Sequence, residues 1–136
     1  MKSDIAPLVM VIDDDADIRE MIKVLLEVDG YRVVTAIDGV DAIDQLRAGP
    51  LPALILADLM MPRMDGEQFI LALRRGGWTT VPVIVMSGHN VTGSRSGKFR
   101  GHPCLTKPVE IDDLMEIVHR FTGETLPRTN QKRRRA

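Results

Sequence analysis

Acidic residues stand together where a hydrophobic run ends near the N-terminus. The stretch VIDDDADIRE, residues 11–20, places Asp13, Asp14 and Asp15 side by side directly after the apolar run LVMVI. Adjacent carboxylates repel one another, and each raises the pKa of its neighbours. The crowding therefore indicates a bound cation, and a donor set made only of oxygen favours a hard ion such as Mg²⁺ over zinc.

Three more polar residues end or follow apolar runs further along the chain. Asp58 ends ALILAD, Ser87 follows VPVIVM, and Lys107 follows PCLT. An ammonium group is a poor metal ligand but a good partner for a carboxylate or a phosphate. Carboxylates, Mg²⁺, a hydroxyl and a lysine at one place would suit transfer of a phosphoryl group to a carboxylate nucleophile.

The elements that must bring these residues together follow from the hydrophobic pattern. Short apolar runs predict five strands, at residues 8–12, 31–36, 53–58, 81–86 and 103–106. Apolar residues at helical spacing predict four intervening or final helices, around residues 17–28, 38–48, 65–76 and 110–121. In the first helix we expect Asp17 and Glu20 to form a capping box and Gly30 to end the element.

Alternation of strands and helices predicts an α/β domain with a doubly wound parallel sheet, covered by helices on both faces. Ligands of such sheets bind at the carboxyl ends of the strands. That rule brings the acidic pair, Asp58, Ser87 and Lys107 to the same edge.

Four stretches, in this order, carry a resemblance to a known family: VIDDDADIRE, LILADLMMPRMDGEQF, VPVIVMSGH and LTKPV. From about residue 7 to 121 the sequence resembles the receiver domain of two-component response regulators. The resemblance implies a flavodoxin-like, five-stranded parallel sheet in the order 2-1-3-4-5. It also implies signal transduction by a phosphorelay, with a phosphoryl group received from a histidine kinase or a phosphotransfer protein.

The same resemblance implies a role for each site residue. Asp58 would accept the phosphoryl group, Ser87 would hydrogen-bond it, and Lys107 would pair with the acceptor carboxylate and then with the phosphate. Asp14 would bind Mg²⁺ directly and Asp13 mainly through water, with Asp58 and the backbone carbonyl of Met60 as further ligands. The Lys107–Pro108 peptide bond would be cis. The protein would not be an enzyme beyond assisting its own phosphorylation and dephosphorylation.

Two features depart from the family pattern. Residues 88–101, GHNVTGSRSGKFRG, should hold a further helix between the last two strands, yet they contain four glycines and no apolar stripe. Each interior glycine costs a helix about 0.8–1 kcal/mol relative to alanine, so we expect this fourth helix of the family to be irregular or shortened. Second, Cys104 stands where many receivers carry an aromatic switch residue, three positions before the lysine.

Length and composition bear on the domain organisation, the partners and the location that we expect. The 136 residues suit one domain, which we divide into an N-terminal extension (1–6), a receiver domain (7–122) and a basic tail (123–136) expected to be disordered. The last eleven residues hold five basic residues; without them 13 basic residues face 19 acidic ones, a balance of −6. An acidic domain of this kind is not expected to bind nucleic acid. With one cysteine and neither a signal peptide nor a membrane span, we expect a cytoplasmic protein.

Other functions stay open at this point. A phosphorylation-independent protein-interaction module on a receiver fold is the main alternative, favoured by Cys104 and residues 88–101. A phosphatase with a strand-end aspartate nucleophile fits less well, because its D-x-D-x-[TV] pattern fails at Asp17. The receiver could stand alone or belong to a hybrid kinase, and its downstream target is expected to be a protein.

Overall fold

A computed structural model describes residues 6–61, 63–88, 98–99 and 101–123. Predictions for residues 1–5, for most of the glycine-rich segment 88–101 and for residues 124–136 of the basic tail lie outside the described residues. None of the four helices in the described part has the length and apolar character that a crossing of a lipid bilayer requires.

The described strands form one six-stranded sheet in the order β2-β1-β3-β4-β6-β5. All neighbouring strands are parallel except β5, which pairs antiparallel with β6. The five parallel strands thus have the predicted order 2-1-3-4-5, with β6 in the fifth place, and the predicted fold class is confirmed. Their bounds are Leu8–Ile12 (β1), Arg32–Ala36 (β2), Leu54–Asp58 (β3), Val83–Gly88 (β4), Lys98–Phe99 (β5) and His102–Lys107 (β6).

Strand β5 was not predicted. It lies inside the segment for which we expected an irregular fourth helix, and its two residues pair with Pro103 and His102. Gly101 in the connecting turn has a φ of 86°, a conformation that glycine adopts without the steric penalty of a Cβ. Within the described part of this segment the backbone is therefore strand and turn.

Four helices cover the sheet, and their number and approximate position agree with the sequence pattern. They are Ala16–Val28 (α1), Gly39–Ala48 (α2), Gly66–Gly76 (α3) and Ile111–Thr122 (α4). The predicted cap of α1 is wrong. Asp15, and not Asp17, is the N-cap residue, because its side chain accepts hydrogen bonds from the backbone N–H groups of Asp17 and Ile18.

Apolar layers fill both faces of the sheet, as the continuous hydrophobic strands predict. One layer joins Met10, Ile12 and Ile55 to Phe69 of α3, which is fully buried. The other layer joins alternate strand residues to α1 and α4, through side chains such as Leu26 and Leu114. Since both faces are covered, polar groups of the strands can reach solvent only at the strand ends.

Candidate functional site

The carboxyl ends of the parallel strands deliver the candidate site. Asp13 and Asp14 directly follow β1, Asp58 is the last residue of β3, and Lys107 is the last residue of β6. Ser87 was expected just after β4 but lies within it, since β4 runs to Gly88. The five side chains nevertheless belong to one edge of the sheet, as the parallel topology requires.

Three of these residues form a carboxylate cluster. One oxygen from each of Asp13, Asp14 and Asp58 lies within 4.8 Å of the others. Asp13 and Asp58 are buried, whereas Asp14 is exposed to solvent. Buried carboxylates at such distances repel strongly unless a positive charge lies among them.

Lys107 supplies a positive charge inside the cluster. Its Nζ lies 2.9 Å from Oδ2 of Asp13, to which it donates a hydrogen bond, and 3.3 Å from Oδ1 of Asp58. Burial lowers the pKa of Lys107, but the hydrogen bond and the charge of Asp13, together with Asp58, outweigh it and raise the pKa above its ordinary value. The ammonium group is therefore charged and holds two strand ends together.

Asp58 is the carboxylate whose titration is most perturbed. Burial raises its pKa from 3.8 to about 6, and repulsion by Asp13 acts in the same direction. Attraction to Lys107 and a backbone hydrogen bond from Met60 oppose the rise without cancelling it. With this pKa, Asp58 is mostly ionised at neutral pH although it is largely removed from water. An ionised and poorly solvated carboxylate can act as a nucleophile.

Met60 is the second residue of the loop that follows Asp58. Its backbone N–H donates to Oδ1 of Asp58 at 3.3 Å, and its side chain is exposed. The backbone at this position therefore stays beside the acceptor carboxylate, two residues after the strand ends.

The residues present fit a divalent cation of the hard class. Among the described residues, three carboxylates share a volume into which one ammonium group reaches, so negative charge is in excess there. Mg²⁺ prefers oxygen ligands, keeps several of its waters and commonly binds through one or two carboxylates. The exposed Asp14 lies on the solvent side, where such a partly hydrated ion could be accommodated.

Further residues support the site without having been predicted. Arg19 of α1 donates to the backbone carbonyl of Asp13 at 2.7 Å, and the Asp15 N–H donates to Oδ1 of Asp13 at 2.9 Å. Together with Lys107 they fix both the backbone and the side chain of Asp13. The only signal in the sequence was the position of Arg19 one helical turn inside α1, on the same side as the acidic run.

The position of the family's aromatic switch is taken by Cys104, on the strand that ends at Lys107. Cys104 of β6 pairs with Val85 of β4 and is half-buried, and burial raises the pKa of its thiol. It lines an open cavity of about 500 Å³ between β6 and α4. The Lys107–Pro108 peptide bond at the end of the same strand is cis, as the resemblance implied.

Two solved structures that are similar to this chain are a response regulator receiver domain and a chemotaxis protein. The Francisella response regulator 1452 receiver domain is 33% identical, with a TM-score of 0.75, over 88% of this chain and 99% of that chain. The Vibrio cholerae chemotaxis protein CheY4 is 27% identical, with a TM-score of 0.76, over 85% of this chain and 98% of that chain. The fold is thus that of a CheY-like receiver domain.

The sequence comparison leads to the same class. The family model for the response regulator receiver domain matches residues 9–119, and the chain belongs to that family. Response regulator Rre1 of Synechocystis sp. is 34% identical over 80% of this chain and 48% of its own length. Response regulator MprA of Mycobacterium avium is 33% identical over 88% of this chain and 52% of its own length. The chain therefore spans about half the length of these relatives, and it is a receiver domain of the two-component type.

Proposed function

We propose that this receiver accepts a phosphoryl group on Asp58, from a histidine kinase or a phosphotransfer protein, and signals by binding a downstream protein. The observation that carries the proposal is the environment of Asp58. It is a buried carboxylate at a strand end, 3.3 Å from a lysine and within a cluster of three acidic residues. We assign the receiver to residues 7–122, with residues 1–6 as an extension and 123–136 as a basic tail.

In the transfer step, an Oδ atom of Asp58 attacks phosphorus in line with the donor nitrogen. The O–P bond forms, the P–N bond breaks, and its electron pair stays on the donor imidazole. Bound Mg²⁺ would neutralise charge on the transferred oxygens, held by Asp14, by Asp13 through water, by Asp58 and by the Met60 carbonyl. Lys107 would move from the carboxylate of Asp58 towards the new phosphate, and the Ser87 hydroxyl would donate to it.

We propose that the site residues assist chemistry on the protein itself. The groups proposed to act on the phosphoryl group are the acceptor, one hydroxyl and one ammonium, all on the same edge of the sheet. Phosphorylation and dephosphorylation of this one residue are the reactions that we assign to the protein. A cytoplasmic location is part of the proposal, because a single cysteine suits a reducing compartment.

Labelling with a small phosphodonor tests the proposal directly. The protein incubated with acetyl phosphate and Mg²⁺ should gain one phosphoryl group, measured by intact mass. Asp58→Asn and omission of Mg²⁺ should each abolish the gain, whereas Asp112→Asn, on the exposed first turn of α4, should leave it unchanged. Full labelling of Asp58→Asn would place the acceptor elsewhere, and turnover of a phosphate monoester would favour a phosphatase.

A second candidate function, an interaction module independent of phosphate, is favoured by one observation. Cys104 occupies the switch position, and its small side chain cannot follow Ser87 as an aromatic ring would. If this alternative holds, partner binding will have the same affinity in the wild-type protein with and without acetyl phosphate. A change in affinity on phosphorylation would support the phosphorelay function instead.

A further inference from the structure

The loop between β3 and α3, described at residues 59–61 and 63–65, leaves the carboxylate cluster and docks against the beginning of α2. Two consecutive loop residues, Arg63 and Met64, contact the N-cap residue and the first residue of α2, Asp38 and Gly39. Neither contact belongs to the acidic cluster, and nothing in the local sequence pattern requires them.

Arg63 and Asp38 form a two-pronged ion pair. Nε of Arg63 donates to Oδ2 of Asp38 at 2.6 Å, and Nη2 donates to Oδ1 at 3.1 Å. The Asp38 side chain is 4% exposed, whereas that of Arg63 is 58% exposed. The hydrogen bond from Arg63 lowers the pKa of Asp38 in spite of burial, so the carboxylate stays ionised. Paired hydrogen bonds between guanidinium and carboxylate fix orientation as well as distance.

Met64 packs over Gly39. A Cβ atom added at Gly39 would lie 2.7 Å from Sδ and 2.8 Å from Cγ of Met64, closer than van der Waals contact allows. The absence of a side chain at Gly39 therefore makes room for Met64. Met64 in turn packs against the apolar layer beneath α2 and α3.

The other end of the loop is attached to the site itself. The Leu59 N–H donates to the Met86 carbonyl and the Gly66 N–H donates to the Leu59 carbonyl, both at 2.8 Å. The Met60 N–H donates to Oδ1 of Asp58 at 3.3 Å. The backbone of Met60 therefore lies between a fixed strand end on one side and the docked residues Arg63 and Met64 on the other.

We propose that Asp38 and Gly39 are positioning residues for the metal site, which hold the loop after Asp58 so that the Met60 carbonyl is presented to Mg²⁺. The inference rests on the proposed function, because it concerns the same metal site. Residues that orient metal ligands from outside commonly contribute tenfold to a hundredfold to metal affinity. We expect a contribution near the lower value, because the guanidinium group is accessible to water.

The decisive experiment compares Mg²⁺ affinity with stability in matched variants. Arg63→Met removes the ion pair and leaves the cap of α2 untouched. Asp38→Asn removes the charge but keeps an oxygen that can accept the capping hydrogen bond from the Asp41 N–H. Arg63→Lys restores the charge, and Arg75→Met, on the exposed last turn of α3, is the control. Each protein is titrated with Mg²⁺ by calorimetry and unfolded with urea in the presence of EDTA.

Arg63→Met and Asp38→Asn should each raise the dissociation constant for Mg²⁺ about tenfold, and the double variant should be no weaker than either single variant. Arg63→Lys should recover part of the affinity, and Arg75→Met should bind as the wild type does. Amide hydrogen exchange at Leu59 and Met60 in the metal-free protein should accelerate in both loop variants but not in the control.

Three outcomes would overturn the inference. If the variants lose stability yet bind Mg²⁺ as the wild type does, the ion pair is structural only. If the two substitutions weaken binding additively, they do not act through one contact. If the wild-type protein itself binds no Mg²⁺, both the proposed metal site and this inference fail. In the first two outcomes the wild type does bind Mg²⁺, so only this inference fails.

Discussion

Removing the charge of Asp58 should stabilise the metal-free protein. The folded structure confines this carboxylate beside Asp13 in a buried position, and burial raises its pKa from 3.8 to about 6. Since the unfolded chain exposes the same group to water, ionisation is less favourable in the folded state. Asp58→Asn, which keeps the shape of the side chain, should relieve that cost.

The magnitude follows from the two pKa values. A pKa difference of one corresponds to 1.36 kcal/mol, so a rise from 3.8 to about 6 corresponds to a ceiling of roughly 3 kcal/mol at neutral pH. The pKa of about 6 already includes the attraction of Lys107, but the asparagine amide must still be accommodated beside Asp13 and Lys107, so we expect a net gain of about 1–2 kcal/mol. For a domain of this size, the melting temperature should rise by about 3–8 °C.

The pH dependence has a defined sign. Because the folded state binds the Asp58 proton more tightly than the unfolded chain does, the penalty is fully present above the folded pKa of about 6. It shrinks as the pH falls below about 6 and vanishes below the unfolded value of 3.8, where both states are protonated. The stability difference between variant and wild type should therefore shrink between about pH 6 and pH 4.

Urea unfolding in EDTA at pH 7 and at pH 4 measures this difference. Added Mg²⁺ should reduce the difference at pH 7, since the wild type gains about 2.7 kcal/mol when the ion is present at a hundred times its dissociation constant. Asp44→Asn, an exposed acid on α2, is the control and should change stability by less than about 0.5 kcal/mol. A wild type as stable as Asp58→Asn in EDTA, at both pH values, would refute the reasoning.

Three further predictions concern the site and the core. Asp14→Ala should weaken Mg²⁺ binding in calorimetry more than Asp13→Ala does, because a direct ligand lies closer to the ion than one acting through water; equal losses would contradict the assignment. Lys107→Met should lower stability in EDTA by about 1–3 kcal/mol, since it leaves Asp13 and Asp58 buried without their cation, and Mg²⁺ should restore part of the loss. Phe69→Ala should lower the free energy of unfolding in urea by about 3–5 kcal/mol, because the ring is fully buried, and a loss under 1 kcal/mol would mean that the layer beneath α3 is loosely packed.

Site residues that stand at the end of a strand could be predicted from the sequence. Asp58 ends a strand that reads as a continuous apolar run, and Lys107 ends the predicted fifth strand, so a parallel topology predicts that both lie at one edge of the sheet. Strand bounds were less accurate, because Ser87 is a polar residue inside β4 and the apolar pattern stops one residue earlier. The cap of α1 was wrong because the acidic run offers several equivalent carboxylates, and only the backbone geometry selects Asp15.

Contacts between distant segments could not be predicted. Asp38 and Arg63 are 25 residues apart, and their pairing depends on how α2 and the β3–α3 loop are placed by the sheet. His119 also makes contacts with residues that are distant in the sequence. Its Nε2 lies 2.6 Å from Oδ2 of Asp29, and its ring stacks on Tyr31. No local period encodes a partner that lies 90 residues away.

The short strand β5 has a consequence for how the sheet behaves towards other molecules. The edge strands of a sheet have backbone N–H and C=O groups that can pair with a strand of another molecule. Such pairing is a route to aggregation. Here β5 covers β6 at His102 and Pro103, and Pro103 has no N–H to offer an incoming chain. Among the described residues, the part of β6 from Cys104 to Lys107 pairs with β4 alone, so β5 shortens the stretch of β6 that faces outward. The edge strand on this side is two residues long, and short edge strands are one way in which sheets limit growth by strand addition.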